Sequence, residues 1–291
     1  MRVLIVGCGY VGLPLAQELR RQGHEVFGLR RTVSTELSAA GVIPLTGDIS
    51  QIETLEKLPA QFDWVVNCAA TGGGSVADYQ RLYADGNRNL LAWLGAHPPQ
   101  KFVYTSSTSV YAQNDGSLVT EESPTAPESP TSQILVATEK MLLAAAQKQF
   151  PALILRLAGV YGPERGYAFK QFLRGEARIE GDGSRHMNMI HRNDAIGGII
   201  AALEHGRAGE IYNVTDSEPV KQLDFFSWLA QVLNRPLPPR TEANPETWRR
   251  RGVTNKRVSN AKLLQALGYH LKYPNFRAGY AAEIARLTPT Q

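Results

Sequence analysis

The stretch Val3-Leu4-Ile5-Val6-Gly7-Cys8-Gly9-Tyr10-Val11-Gly12-Leu13-Pro14-Leu15-Ala16 decides the fold. A short β-rich run enters a glycine turn, and a helical stretch, 14–21, leaves it. The pattern Gly-x-Gly-x-x-Gly is weak alone, but strand, turn and helix in that order give it meaning. Gly7 permits a tight turn, Gly9 lets the backbone approach a pyrophosphate, and Gly12 lets helix and strand pack closely. The helix N-terminus at Tyr10 and Val11 offers unpaired N–H groups and a positive dipole end to phosphates. The same stretch follows Arg2 and invites a reading as a secretory signal. Its glycines and Pro14 interrupt the apolar run, and no small-residue cleavage site precedes Gln17-Glu18. A strand and turn are therefore expected, in a protein that stays in the cytoplasm.

Outward from this turn, β-rich runs at 3–6, 26–29, 64–67, 102–105 and 153–157 alternate with helical stretches at 14–21, 79–94 and 134–149. Such alternation predicts an α/β fold, a Rossmann-type doubly wound parallel sheet with helices on both faces. The runs are near-continuously apolar, as strands covered on both faces are. Beyond Gly159 the pattern changes. Residues 162–185 are rich in Gly and Arg, a strand-like run at 187–190 leads into a helical stretch at 194–204, and 211–214 reads as another strand. A helix at 223–233, a Pro-rich joint at 236–239 and a last helix near 259–267 complete a smaller C-terminal part. Residues 114–133, rich in Ser, Thr and Pro, read as a long loop of the kind that is usually functional or mobile.

A length of 291 residues predicts one large domain or two modest ones. Hydrophobic residues at 43% and charged residues at 20% exclude a disordered chain. Two cysteines, Cys8 and Cys68, exclude a disulfide scaffold or a multi-cysteine zinc site, and unpaired thiols suit a reducing compartment. No metal site is read. No apolar run approaches the roughly 18 residues that span a bilayer, so no membrane partner is expected. A net charge of +4 suits an anionic small ligand. It is too weak for nucleic acid without a clustered face, and the aromatic spacing for single strands is absent.

The end of the second strand discriminates between dinucleotides. Where NAD-binding proteins usually carry an acid for the ribose hydroxyls, this chain has Leu29-Arg30-Arg31-Thr32. Two guanidinium groups attract and grip a 2′-phosphate, which predicts NADP over NAD. Asp48, in Gly47-Asp48-Ile49 after the third strand, either accepts from the adenine amine or caps a helix; both readings stand at this point.

With these residues in view, the chain resembles the extended short-chain dehydrogenases/reductases, often called the NAD-dependent epimerase/dehydratase family. Besides the glycine turn and Gly47-Asp48-Ile49, the landmarks are Asn67-Cys68-Ala69-Ala70, Asp85-Gly86-Asn87-Arg88-Asn89-Leu90-Leu91, Tyr104 to Tyr111, Val160-Tyr161-Gly162-Pro163 and Ile190-His191-Arg192-Asn193-Asp194. They occur in order over nearly the whole chain. The first glycine of the family's Gly-x-x-Gly-x-x-Gly falls on Val6. The resemblance implies a coenzyme-binding part at 1–158, to which 187–214 returns, and a smaller substrate-binding part from 159–186 and 215–291. It further implies that Cys68, Ala69 and Ala70 line the coenzyme and that the substrate is a small molecule, phosphorylated or nucleotide-linked. A homodimer through the helices at 79–94 and 134–149 is implied by the same analogy.

The family's catalytic set is a Ser or Thr, a Tyr and a Lys, with a supporting Asn. Laid over this chain, the serine is Ser107, the tyrosine position holds Thr131, the lysine position holds Leu135 and the asparagine falls on Tyr83; Glu139 stands where the family often has a glutamate. A rival register makes Lys140 the lysine but puts Val136 at the tyrosine. A threonine hydroxyl is no phenol-like acid near neutral pH, and leucine lowers no pKa. Another carrier is needed for the proton, from Tyr83, Tyr111, Tyr161, His186 and His191. Ser107, Tyr83 and Tyr161 are the catalytic candidates, each with core packing or a simple turn as its alternative.

Arg165, Arg174, Arg178, Arg185 and Arg192, with Trp248-Arg249-Arg250-Arg251, read either as recognition of a phosphorylated substrate or as solvated surface. Two functional classes stay in view: an oxidoreductase or epimerase/dehydratase-like enzyme, and a non-catalytic NADP-binding sensor or partner-binding module. The opening phrase also resembles that of nucleotide-sugar 6-dehydrogenases, which need a downstream nucleophilic cysteine; no cysteine follows Cys68.

Overall fold

A computed structural model describes residues 1–242 and 254–287. Seven parallel strands form its central sheet. From one edge to the other they are Ile43–Thr46, Glu25–Arg30, Arg2–Val6, Trp64–Asn67, Lys101–Ser107, Ala152–Leu157 and Ile211–Val214. This is a Rossmann-like doubly wound α/β fold. The chain winds outward from the first strand through the second to the third, then returns to place the fourth on the other side. The crevice at that reversal lies outside the carboxyl ends of the strands, where open α/β sheets bind ligands.

The apolar runs form strands because both of their faces are covered. Val3 and Ile5 point into one core with Leu15 and Leu19 of the helix Gly12–Arg21 and Ile199 and Leu203 of the helix Arg192–His205. Leu4 and Val6 point into the other with Leu90, Trp93, Leu94 and Leu142. Alternate residues of one strand thus serve two layers.

Several boundaries differ from the sequence reading, for local reasons. The edge strand Ile43–Thr46 is mostly exposed, so no apolar run marks it. The helix expected at 79–94 starts at Val76, set by a capping box in which Ser75 Oγ accepts from Asp78 N and the Asp78 carboxylate accepts from Ser75 N. It passes through a π-helical stretch, Gln80–Asp85, before continuing to Leu94. Asn87 Nδ2 donates to Tyr83 O at 2.7 Å, and a side-chain donor inserted into the ladder widens it. The helix expected at 134–149 spans Pro130–Gln147, because Pro130 suits its first turn. Within the long loop, Leu118–Val119 pairs in parallel with Arg257–Val258.

The smaller lobe has its own aromatic core, including Phe169, Phe172, Phe225, Phe226, Phe276 and Tyr280. Asp194, in the first turn of the helix Arg192–His205, anchors the segment 269–273 that leads into it. It is 0% exposed and accepts from Tyr269 Oη, Lys272 N and Tyr273 N, each at 2.8 Å. No helix among the described residues is long and apolar enough to cross a membrane.

A second buried network ties the sheet to the helix Pro130–Gln147. Arg156 donates through Nε and Nη2 to Glu139 at 2.8–3.2 Å, and through Nη1 to Tyr111 Oη at 2.8 Å. Tyr111 Oη in turn donates to Asn213 Oδ1 at 2.7 Å. Removing one partner of a buried pair strands the other charge, at a cost of about 3–5 kcal/mol. Glu139→Ala should lower the unfolding free energy by about that much in urea titration; a loss below about 1 kcal/mol would show that solvent screens the pair.

Candidate functional site

The glycine turn closes tightly on the loop after the fourth strand. Gly7 has φ +86°, and a Cβ there would sit 2.4 Å from Ala69 Cα. A Cβ on Gly12 would lie 2.2 Å from Gly7 O. A Cβ on Gly9 would meet nothing within 4 Å, so this face of the turn is open. Gly9 N donates to Gly7 O and Leu13 N to Gly9 O. The intervening amides of Tyr10, Val11 and Gly12 have no backbone acceptor among the described residues. Orphan donors at a helix N-terminus, beside a surface with no side chain in the way, fit a dinucleotide pyrophosphate.

Asn67 and Asn87 hold the facing loop. Asn67 Nδ2 donates to Asn87 Oδ1 at 3.0 Å, and Asn67 Oδ1 accepts from Ala69 N at 3.2 Å. Cys68 Sγ lies 3.3 Å from Gly7 O, so Cys68 and Ala69 touch the turn itself. Burial pushes the Cys8 thiol up to about 12, and Cys8 is packing rather than reactive. Asn67 and Asn87 lie in the landmark phrases, but their positioning role is visible only once the strand end and the helix meet.

At the second strand's end, Arg30 Nη1 bonds Ser34 Oγ at 2.7 Å and Glu36 Oε2 at 2.9 Å, while Arg31 and Thr32 are exposed. Asp48 caps a turn: its Oδ1 accepts from Ser50 N and Ser50 Oγ, and its amide donates to Thr54 Oγ1. Tyr10 reaches across to the smaller lobe, donating to Pro163 O at 3.0 Å. The guanidinium groups of Arg165 and Arg192 lie 4.8 and 5.0 Å from its ring centroid. Neither makes an ion pair among the described residues, whereas Arg174 and Arg185 pair with Glu176 and Glu180. Arg178 bonds nearby carbonyls. The Trp248–Arg251 cluster lies outside the described residues.

Ser107 is half-buried at the carboxyl end of its strand, and its Oγ accepts from Ser109 N at 3.1 Å. Tyr83 packs beside an apolar cluster that includes Val110, Tyr111, Leu135 and Val136. Its hydroxyl accepts from Thr71 N at 3.4 Å, and burial raises its pKa. Leu135 is 4% exposed within that cluster, and Thr131 Oγ1 lies 2.9 Å from Ser129 Oγ. Tyr161 stands apart. It is 2% exposed, stacks on Tyr280 at 4.4 Å and donates to Asn275 O. Burial drives its pKa up, and its ring belongs to the aromatic core. Tyr111 is committed to the Arg156 network. Burial lowers the His191 imidazole to about 4, and its Nδ1 accepts from Asn193 N, capping a helix. His186 Nδ1 lies 3.1 Å from Asn255 Oδ1.

The two turn glycines make different demands. Gly9→Ala should leave the melting temperature within about 2 °C yet weaken dinucleotide binding at least about tenfold, a loss of about 1.4 kcal/mol. Gly12→Ala should damage both folding and binding. Calorimetry with NADP and NAD checks this, and unchanged affinity in Gly9→Ala would place the pyrophosphate elsewhere.

Comparison with known proteins agrees with this geometry. The model of the NAD dependent epimerase/dehydratase family matches residues 3–215. The chain is 27% identical to a 3-diazoavenalumate denitrifying reductase of Streptomyces, over 97% of this chain and 100% of that one. A solved structure of a putative NAD-dependent epimerase/dehydratase from Methylobacillus flagellatus is 31% identical, covers 98% of both chains and superposes with a TM-score of 0.78. MoeE5 in complex with UDP-glucose and NAD shares the fold at a TM-score of 0.81, with 23% identity over 98% of both chains. On the match to residues 3–215, the chain belongs to the NAD dependent epimerase/dehydratase family.

Proposed function

We propose that the protein is a reductase or epimerase/dehydratase-like enzyme that uses NADP in preference to NAD and acts on a small phosphorylated or nucleotide-linked substrate. The observation that carries this reading is the open face of Gly9 with the unpaired Tyr10, Val11 and Gly12 amides, beside the Arg30-Arg31 pair. Gly7, Gly9, Tyr10, Val11 and Gly12 would hold the pyrophosphate, with Cys68, Ala69 and Ala70 along the other wall. When bound, the nicotinamide supplies or accepts hydride. Arg31, exposed and without an ion pair among the described residues, is the freer phosphate ligand; Arg30 must share itself with Glu36. Arg165 and Arg192 are positive charges without a carboxylate partner among the described residues, which suits an anionic substrate or coenzyme phosphate. The reductase name of the Streptomyces relative and the UDP-glucose and NAD of MoeE5 are in keeping with this reading. A cytoplasmic setting and a homodimer belong to it as well.

Ser107 binds the substrate oxygen in this reading, and Tyr83 shapes the cleft through its hold on Thr71. Thr131 and Leu135 take the positions of the family's Tyr and Lys, so the usual acid–base pair is lost. That loss favours the second reading, a non-catalytic NADP-binding sensor or partner-binding module.

Turnover of NADPH and NADH against a panel of carbonyl compounds and nucleotide sugars separates the two. Coenzyme oxidation is expected for the enzyme, and binding without turnover for the sensor. A charged hydrogen bond to phosphate contributes about 1.5–3 kcal/mol. Arg31→Ala should therefore weaken NADP about tenfold to a hundredfold while leaving NAD nearly unchanged. Equal affinities for NADP and NAD in the native protein would remove the phosphate clamp. Ser107→Ala and Tyr83→Phe both retaining full turnover would overturn the active-site placement.

A further inference from the structure

Lys256 is 5% exposed, and no carboxylate pairs with it among the described residues. Its Nζ donates to Tyr111 O at 3.4 Å and to Thr254 Oγ1. An ammonium has three donors, so two acceptors leave one N–H unanswered among the described residues. Lysine is among the residues least often fully buried, and a buried charge without a counter-ion is expensive. A leucine or methionine would fill the same space at no such cost.

The position of Lys256 is closely controlled. Arg257–Val258 pairs with Leu118–Val119; Arg257 N donates to Ser117 O at 2.8 Å and Ser259 N to Val119 O at 2.9 Å. Asn188 grips the same segment at two points: Nδ2 donates to Lys256 O at 2.9 Å, and Oδ1 accepts from Val258 N at 2.8 Å. Strand alternation puts Lys256 on the side of Val258, with Arg257 turned away. Val258 is buried among Val110, Tyr111 and Leu135, and Arg257 is exposed, as this alternation requires. Lys256 therefore arrives from the C-terminal part at the loop that follows Ser107, next to the cluster that Leu135 fills.

Among the described residues, the charged and titratable groups of the neighbouring elements have partners of their own. Tyr111 Oη faces Arg156 and Asn213, Glu139 is paired with Arg156, and Glu121 Oε1 accepts from Asn213 N. His186 faces Asn255. Burial alone lowers the Lys256 ammonium to about 8.

We propose that Lys256 meets the reacting oxygen of the substrate and supplies there the positive charge and the proton that the family's Tyr and Lys supply elsewhere; this rests on the reductase reading above. In reduction of a carbonyl compound, Lys256 gives one N–H proton to the oxygen as the C=O π pair moves onto it. The new C–H bond takes its hydride from reduced nicotinamide dinucleotide, which leaves oxidised. The neutral amine then recovers a proton from water. Because the ammonium is the acid, reduction weakens as pH rises through its pKa.

The test uses the full chain with Lys256→Met and Lys256→Arg. Methionine removes a buried charge, so the variant should fold and bind NADPH within about twofold of native. It should lose at least about a hundredfold in kcat and lose the alkaline limb of the pH–rate profile. Arginine, charged at all these pH values, should retain part of the rate and move the limb upward. With ¹³C-methylated lysines, one NMR resonance absent from Lys256→Met should shift when NADP and a carbonyl ligand are added together. Native turnover with an equally active Lys256→Met, or no such shift, overturns the role of Lys256 alone. No turnover by the native protein overturns the reductase reading and this role with it. If Lys256→Met fails to fold, the Lys256→Arg profile and the native resonance decide: an unmoved limb or an unshifted resonance is the overturning result.

Discussion

The protein turns on one close approach of backbone to backbone. Gly7 runs against Ala69, and Gly12 runs against Gly7 O, at distances where only hydrogen fits. This contact brings the first helix down onto the first strand and aims its N-terminal amides at the crevice where the sheet reverses. Gly9, between the two crowded glycines, faces empty space. The same short turn therefore contains two glycines required by packing and one that packing leaves open.

Around this turn, buried polar groups set the geometry that apolar packing leaves free. Asn67 and Asn87 join a strand end to a helix, and Asn87 opens the helical ladder at Tyr83. Glu139, Arg156, Tyr111 and Asn213 join a helix, two strands and a loop. Asp194 joins the segment 269–273 to the helix Arg192–His205 with three hydrogen bonds. Each set is costly if one member is missing, because a desolvated partner is then left alone. Such sets specify one arrangement where hydrophobic contact alone would tolerate several.

The apolar cluster after the fifth strand of the sequence draws on distant parts of the chain. Leu135 joins Val110, Tyr111, Val136 and Val258 in a dry patch along the helix Pro130–Gln147. A buried cation, Lys256, reaches Tyr111 from a separate segment, brought in by a two-residue strand pairing and an asparagine grip. Two segments far apart in sequence thus meet at one patch, the helix bringing an apolar side chain and the C-terminal segment a charge.

The order of strand, turn and helix was legible in the chain because each signal is local. A continuous apolar run, a glycine triplet and a helical stretch lie within one short stretch, and covered strands are apolar throughout. The edge strand Ile43–Thr46 carried no such mark, since an exposed strand needs no apolar run. Residue types at the site were legible too, but not their company. Tyr83, Tyr111 and Tyr161 look alike as letters; only the folded chain gives one to Thr71, one to Arg156 and one to the aromatic core. Lys256 lies 149 positions from Ser107, and no local pattern links them. Its burial depends on long-range pairing, which is a property of the closed three-dimensional packing and of no single stretch of sequence.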